Sequence, residues 1–346
     1  MKWSVVTLLT ILLGCYGLIN YFVGLRGWQY FFNYIPGSNR MIYWILFGVV
    51  SLSCIFRQVG EKYFSTYVNL MLTWIGSYWL GILFYALLIF GTLDLASLIM
   101  KGSISRAFRM GLGVMLLILL LQVVGTYLAW QPVVKQYELT IAKSGGSLSE
   151  LRLVLVSDVH LDKIVDGQRL NKMVEIINER EPDLVVFAGD IVDSSADVMA
   201  EEKLIDALKK LAPIYGTYAV LGNHEYIHGA VAQVMEHFRQ GGARVLRDEV
   251  VHIADSFYLI GRDDRSKERF YGVPRQSLGD LMSGVDKHAP VLLLDHRPDR
   301  LTEAEQMGVD LQLSGHTHGG QLFPVNLITS GIFETDGGYL KKGLYR

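Results

Sequence analysis

Acid and histidine are nearly missing from the first 134 residues of this chain of 346. That stretch holds two acids, Glu61 and Asp94, against eight Lys and Arg, and no histidine at all. Cysteine is scarce throughout: Cys15 and Cys54 are the two in the chain, and both fall in the same first stretch. The remainder can form neither a disulfide framework nor a thiolate metal site. The two thiols sit in apolar runs and read as packing groups. An excess of base is also missing. Residues 135–346 carry 32 acids and 24 bases, a net charge of −8 against +6 for the first part. The electrostatic footprint of a nucleic-acid binder is therefore absent. There is no internal repeat and no low-complexity segment.

The first part has long apolar runs instead. Trp3–Leu25, Tyr63–Leu93 and Met110–Val134 are free of Arg, Lys, Glu and Asp, and each exceeds the ~20 residues a spanning helix needs. Met41–Phe56 is shorter, but Arg40 and Arg57 at its ends can snorkel to the interfaces. The expectation is a four-helix transmembrane domain over residues 1–134, with Trp3, Trp28, Trp44 and Trp130 near the span ends as an aromatic belt. No small-x-small cleavage site follows the first run, so it reads as an uncleaved span of an integral, multi-pass membrane protein. Basic residues divide evenly between the two sides. The acid-free cluster Lys101, Arg106 and Arg109 favours a cytoplasmic loop there and an extracytoplasmic second part. Ser77 and Gly81 have the spacing of a helix-packing pair.

All nine histidines lie after residue 150. Tyr137, Leu139 and Ile141 alternate with polar residues and predict a strand. Apolar runs at Leu151–Ser157, Leu184–Ala188, Ile214–Leu221, Val291–Leu294 and Leu311–Leu313 predict buried strands. Gln168–Glu179, Ala200–Leu211 and Val231–Arg239 have helical spacing. Strand-helix alternation followed by a strand-rich stretch predicts two packed sheets with helices outside, an α/β fold over residues 135–346.

Five polar blocks each follow a strand: Asp158-Val159-His160, Gly189-Asp190-Ile191-Val192-Asp193, Gly222-Asn223-His224-Glu225, Asp295-His296 and Gly315-His316-Thr317-His318-Gly319. Ligands of open α/β sheets bind beyond the carboxyl ends of the strands, so these blocks converge on one edge. Asp158 and His160, like His316 and His318, are two apart and share a side if the chain stays extended. Asp190 follows a glycine that permits a tight turn, and its two oxygens can bridge two ions. Asn223 adds an amide oxygen. Carboxylate, imidazole and amide donors without thiolate suit Mn, Fe or Zn rather than Ca. On an extended segment His224 points away from Asn223. Asp162, Asp166, Asp263 and Asp264 read as solvated loop carboxylates, and His228, His237, His252 and His288 as surface or satisfied core residues. Arg262, Arg265 and Arg297 are candidates for a phosphate contact, Arg297 above the others because it adjoins His296.

These blocks resemble those of the calcineurin-like metallophosphoesterases over roughly residues 150–325, and Gly315–Gln321 (GHTHGGQ) is similar to their membrane-associated bacterial branch. The resemblance implies an α/β/β/α sandwich of four layers. It implies that Asp158, His160, Asp190 and His318 bind one metal. Asp190, Asn223, His296 and His316 would bind a second, with Asp190 bridging. His224 would be the catalytic imidazole, oriented by Glu225, and Asp193 would hydrogen-bond a ligand. The implied reaction is hydrolysis of a phosphoester by two divalent ions that activate water and clamp the phosphoryl oxygens. Family chains continue past the last histidine motif with strands that close the second sheet. This chain stops at Tyr345-Arg346, so those strands are expected to be missing.

Tethering within about 25 residues of the last span favours a substrate in the same bilayer, a phospholipid or lipid-linked phosphoester. An alternative within enzymes is a pyrophosphohydrolase resembling the UDP-diacylglucosamine hydrolases of lipid A synthesis. From another class, a membrane sensor with a purely structural metal site would lack a spare acid–base group, which the His224-Glu225 pair argues against. A transporter would have only Asp94 as an intramembrane carboxylate.

Overall fold

Residues 2–60, 63–99, 107–161, 167–193, 198–229, 231–332, 335–336 and 340–341 are described in this computed structural model. Lys101, Arg106, Asp162, Asp166 and the Tyr345-Arg346 terminus lie outside the described residues. Two compact units divide the chain, Met1–Val134 and Lys135–Arg346.

The first unit is helical: α1 Lys2–Tyr30, α2 Arg40–Ser51, α3 Ser53–Gly60, α4 Thr66–Ile99 and α5 Ala107–Trp130. Three helices are long and apolar enough to cross a membrane. The expected second span is instead the pair α2 and α3, bent by 50°, which makes a fourth span only if the pair counts as one. The break has a local cause. Ser51 Oγ donates to Gly48 O at 3.2 Å and Ser53 Oγ to Val50 O at 2.7 Å, back-bonds that bend helices. Tyr16 of α1 donates its hydroxyl to Ser51 O, holding the bend. The last helix stops at Trp130, short of Val134, because Pro132 disfavours helix at the residue before it. Val23, Trp79, Leu83, Ala86, Phe90, Val114 and Ile118 form the unit's buried centre. Trp79 Nε1 donates to Asn20 Oδ1 at 3.0 Å, a polar tie between α1 and α4. Asp94 is paired with Arg26 at 2.5 Å. Cys54 is half-buried, whereas Cys15 lies exposed on the helix surface rather than packed. Gly81 leaves room for the amide of Gln122 on α5, so this position does serve close helix approach.

The second unit runs β1 Leu153–Val156, α6 Gly167–Asn178, β2 Leu184–Ala188, α7 Val198–Leu208, β3 Thr217–Val220, α8 Asn223–Ile227, α9 Val231–Gln240 and β4 Ala243–Val245. It continues through β5 Glu249–Ile253, β6 Phe257–Gly261, α10 Ser266–Tyr271, α11 Leu278–Met282, β7 Val291–Leu294, α12 Leu301–Met307 and β8 Leu311–Leu313. Last come α13 Val325–Ile332, β9 Thr335–Asp336 and β10 Leu340–Lys341. One sheet is β1-β2-β3-β4, all parallel. The other is β5-β6-β7-β8, antiparallel only between β5 and β6.

Alternation within the strands builds the layers. Leu184, Val186 and Ala188 of β2 face Leu259, Leu292 and Leu294 of the other sheet, forming the central core. Val185 and Phe187 face the opposite way, onto Leu170, Val174, Leu204 and Phe238 from α6, α7 and α9. Ile260, Val291 and Leu293 turn outward against Leu278, Leu281 and Ala304 from α11 and α12. The result is an α/β/β/α sandwich. Each fully buried Leu, Val or Phe contributes about 1.5–3 kcal/mol relative to exposure, which explains why β2 is apolar at every position.

Tyr137–Ile141 is not a strand. Tyr137 and Leu139 are exposed, and Ile141 alone packs on the central core. The segment is pinned by Lys143, whose ammonium meets Asp310 at 2.6 Å. After β8 the described residues add no strand to the second sheet; β9 and β10 form a separate antiparallel pair.

Candidate active site

Strands β1, β2, β3, β7 and β8 end at one edge of the sandwich, and each of the five polar blocks begins there. Backbone bonds lash the turns together: Asp158 N to Gly189 O at 3.1 Å, His160 N to Asp190 O at 3.1 Å, and Gly315 N to His296 O at 2.9 Å. The turns are not extended. Asp158, His160, Asp190, His316 and His318 all have left-handed backbone, with φ between 49° and 70°. Such conformations are costly for residues with a Cβ and collect at functional sites. The expected side-sharing of residues two apart therefore has a different origin: two αL residues flank one ordinary residue in each Asp-x-His or His-x-His turn. Gly189, at φ 84°, supplies the sharp exit from β2, and a Cβ on it would strike the Gly222 backbone and the His296 ring.

Among the described residues the donor atoms fall into four sets of three; His160, Asp190 and His224 form one and Asp193, His224 and His228 another, and the remaining two match the expected ligands. Asp158, His160 and His318 make the first: His160 Nε2 faces His318 Nε2 at 3.0 Å, and His318 Nε2 is 3.4 Å from Asp158 Oδ1. Asp190, His296 and His316 make the second, with His296 Nε2 at 3.1 Å from Asp190 Oδ2 and at 3.2 Å from Asn223 Oδ1. Asp190 Oδ2 also lies 4.0 Å from His160 Nε2, so this carboxylate stands between the groups. The remaining ring nitrogens are anchored. His296 Nδ1 donates to Ala188 O at 2.7 Å, and His160 Nδ1 to Asp193 Oδ1 at 2.6 Å. Such anchoring fixes the tautomer and leaves Nε2 free to bind a cation.

Protonation follows the same plan. Burial opposes ionisation of Asp190, but the hydrogen bond and charge of His296 outweigh it and hold the carboxyl at about 2. Burial likewise opposes the His296 cation, yet Asp190 lifts it to about 9. His316 goes to about 4, through burial and then the charges of His296 and Arg297. Burial also lowers His318. Neutral imidazoles at 316 and 318 beside ionised Asp190 are what a divalent cation requires of its ligands, whereas His296 gives up a proton to bind one. The residues fit a metal centre.

His224 sits on α8, not on an extended segment, so it is displaced from Asn223 by helical rotation. Its Nδ1 is 2.6 Å from Asp193 Oδ1, the same oxygen that holds His160. That contact is the main reason its pKa is raised, against burial. Two imidazoles outweigh burial at Asp193 and depress it well below the usual carboxylate range.

Glu225 does not take the orienting role that the resemblance implied. Its buried carboxylate accepts the backbone amides of Gly222 at 2.8 Å, Asp190 at 3.1 Å, Ile191 at 2.7 Å and Val192 at 3.3 Å. It is fully committed to the turns that carry Asp190 and Asn223. Asp193, expected only to support a ligand, faces the His224 imidazole as well.

Other expectations change too. Asp263 and Asp264 are not solvated but fully buried. Asp263 takes Arg247 at 3.0 Å and the Tyr226 hydroxyl, and Asp264 takes Arg297 Nε at 3.1 Å. Arg262 is held by Asp295 at 3.4 Å and Arg265 by Asp299 at 2.9 Å. All three candidate phosphate arginines are thus occupied by carboxylates. His237 is buried and His252 stacks on Tyr258 at 4.3 Å, while His228 is exposed at the end of α8, its ring 5.8 Å from that of His224. Ser157, not singled out by pattern, donates to Asp158 Oδ2 at 2.6 Å. A serine immediately before the first aspartate is the only signal the sequence offered.

A sandwich of this layering, with Asp, Asn and His donors gathered on one sheet edge, defines a metal-dependent phosphoester hydrolase. Residues 151–320 match the family model for calcineurin-like phosphoesterases. An Aquifex aeolicus (strain VF5) protein named "Uncharacterized metallophosphoesterase" is 38% identical over 192 residues, 55% of this chain and 72% of its own. Proteins named "Transmembrane protein with metallophosphoesterase domain" are 31% identical in Danio rerio and 32% in Bos taurus. They cover 71% and 65% of this chain, and 60% and 54% of their own lengths are spanned. The chain belongs to the calcineurin-like metallophosphoesterases, a family of metal-dependent phosphoester hydrolases.

Proposed function

We propose that this protein is a membrane-anchored phosphoesterase acting on a lipid or lipid-linked phosphoester by a two-metal mechanism. The observation that carries the reading is Asp190, whose carboxylate stands between two groups of imidazole and carboxylate donors. Asp158, His160, Asp190 and His318 would hold one ion, and Asp190, Asn223, His296 and His316 the other. When bound, such ions lower the pKa of water and offset charge on the phosphoryl oxygens. The donor set favours Mn, Fe or Zn.

The chain's own groups do the rest. Asp193 Oδ1 lies 2.6 Å from His224 Nδ1, which leaves Nε2 to carry the proton. As an imidazolium, His224 delivers that proton to the leaving oxygen and stabilises charge on the phosphate. Glu225 holds the amides of residues 190–192 and 222, so Asp190 and Asn223 keep their places without help from substrate.

Apolar spans in the first unit support the lipid reading. So does the uncharged stretch after His318, where Phe323, Leu327, Ile328 and Ile332 are exposed. The full chain in bilayers with Mn²⁺ tests it against phospholipids, nucleotide-linked lipids and soluble mono- and diesters. Hydrolysis of soluble esters with no lipid phosphoester turned over overturns the lipid assignment. The basic cluster at Lys101, Arg106 and Arg109 favours an extracytoplasmic catalytic unit. In a chain lacking Cys15 and Cys54, Ser195→Cys should then react with an impermeant thiol reagent in intact cells and Ser103→Cys should not. The reverse labelling inverts the topology.

A further inference from the structure

One segment of the site carries a pattern that the phosphoesterase reading leaves unused. His224-Glu225-Tyr226-Ile227-His228 has two histidines four apart. On a helix that spacing places both imidazoles on one face, the arrangement by which His-Glu-x-x-His segments chelate zinc. Here the segment is helical from Asn223 to Ile227, His228 caps its end, and the two rings are 5.8 Å apart. Glu225, which would serve as base in such an enzyme, is turned inward onto four amides. The pair can bind but cannot supply that chemistry.

A third donor completes the set. One ligand atom each from Asp193, His224 and His228 lie within 4.8 Å of one another. His224 Nδ1 is buried and near Asp193 Oδ1, yet it lacks a hydrogen bond of good alignment. His228 is exposed, so one side of the cluster opens to solvent. We infer that Asp193, His224 and His228 form a third cation site, outside the two donor groups around Asp190, that binds a borderline divalent ion such as Zn²⁺ and inhibits the enzyme.

The chemistry selects the ion. Two imidazoles and one carboxylate favour Zn, Co, Ni or Cu over Mg or Ca. Three protein donors and an open side leave room for water, and Asp193 Oδ1 is already engaged with His160, so binding is weaker than at a complete protein cage. Inhibition rests on the proposed role of His224. An ion held there occupies His224 Nδ1 and draws Asp193 Oδ1 from its two contacts at 2.6 Å, so the ring is no longer held in its working position.

The test compares the full chain with His228→Asn, using Zn²⁺ as the probe. Metal content after equilibrium dialysis against a series of free Zn²⁺ concentrations is the primary readout, with hydrolysis of a chromogenic ester as the second. The wild type should take up one more equivalent at high Zn²⁺ than the variant. Loss of a ligand should weaken that extra ion by at least about tenfold, the smallest effect seen for groups that merely support ligands. At low Zn²⁺ the two proteins should hydrolyse equally; at high Zn²⁺ only the wild type should slow. His228→Gln guards against a folding artefact, and His224→Ala should lose the same extra equivalent. Equal uptake by wild type and both His228 variants, or equal inhibition, overturns the inference. If both proteins hold fewer than two ions at low Zn²⁺, the two-metal reading fails, while the difference between them still decides this site.

Discussion

Glu225 Oε1 accepts the Ile191 amide at 2.7 Å, tying α8 to the turn that follows β2. With its other oxygen on Gly222 N and Asp190 N, this single carboxylate sets the spacing between Asp190 and Asn223. Glu225→Ala would leave buried amides without an acceptor, and a cost of about 3–5 kcal/mol is expected. For a unit of this size that lowers the melting temperature by roughly 6–20 °C. Glu225→Gln keeps one acceptor oxygen but turns an amino group onto the remaining N–H groups, and should fall between the two. Thermal melts check the order; an unchanged melting temperature for Glu225→Ala refutes it.

Asp193 should set the alkaline limit of activity. Its contact raises His224 above the ordinary 6.5. The imidazolium therefore persists to higher pH, and the rate falls as pH rises through that raised value. Asp193→Asn removes the pull, so the fall should move to lower pH. A pH–rate profile in which the alkaline limb stays put assigns that limb to another group.

Asp190 and His224 should separate binding from proton transfer. Asp190→Asn is expected to lower both metal content and activity, because it removes charge shared by two donor groups. His224→Ala is expected to keep the two inner ions and lose about 10²–10⁴-fold in rate, the usual worth of a general acid. Elemental analysis beside kinetics distinguishes them, and full metal loading with normal turnover in Asp190→Asn would end the two-metal assignment.

Gly222 tests how tightly the turns are packed. A methyl there would overlap Asp190 Oδ1 and its backbone nitrogen. Gly222→Ala should weaken metal binding while leaving the hydrophobic layers intact, seen as reduced metal content with little change in secondary structure.

Much of this was legible in the chain. β2 and β7 coincide with their apolar runs because strands buried on both faces have no polar positions to blur their ends. The five polar blocks were legible because each follows a short, largely apolar strand. What escaped was local backbone. Asp158, His160, Asp190, His316 and His318 adopt left-handed turns that alternation cannot foresee. Asp263 and Asp264 look solvated in sequence, since the cations that neutralise them are distant: Arg297 is 33 positions from Asp264, and Arg247 is 16 from Asp263. Glu225 misled for a related reason. The resemblance implied partnership with His224, but on a short helix neighbouring side chains diverge, and Glu225 meets backbone amides instead. Tyr137–Ile141 alternates like a strand yet finds no partner edge among the described residues.

The Arg26–Asp94 pair bears on how the chain enters the bilayer. Arg26 emerges from the ribosome with α1, while its partner is synthesised 68 residues later on α4. Until then Arg26 carries an unpaired charge at the end of an apolar run. Asp94→Asn should leave α1 less firmly inserted, which cysteine accessibility along the helix can measure; unchanged accessibility would dismiss the idea. If it holds, α1 is provisional when made and becomes permanent only when α4 arrives, so biogenesis proceeds by pairs of helices rather than one at a time.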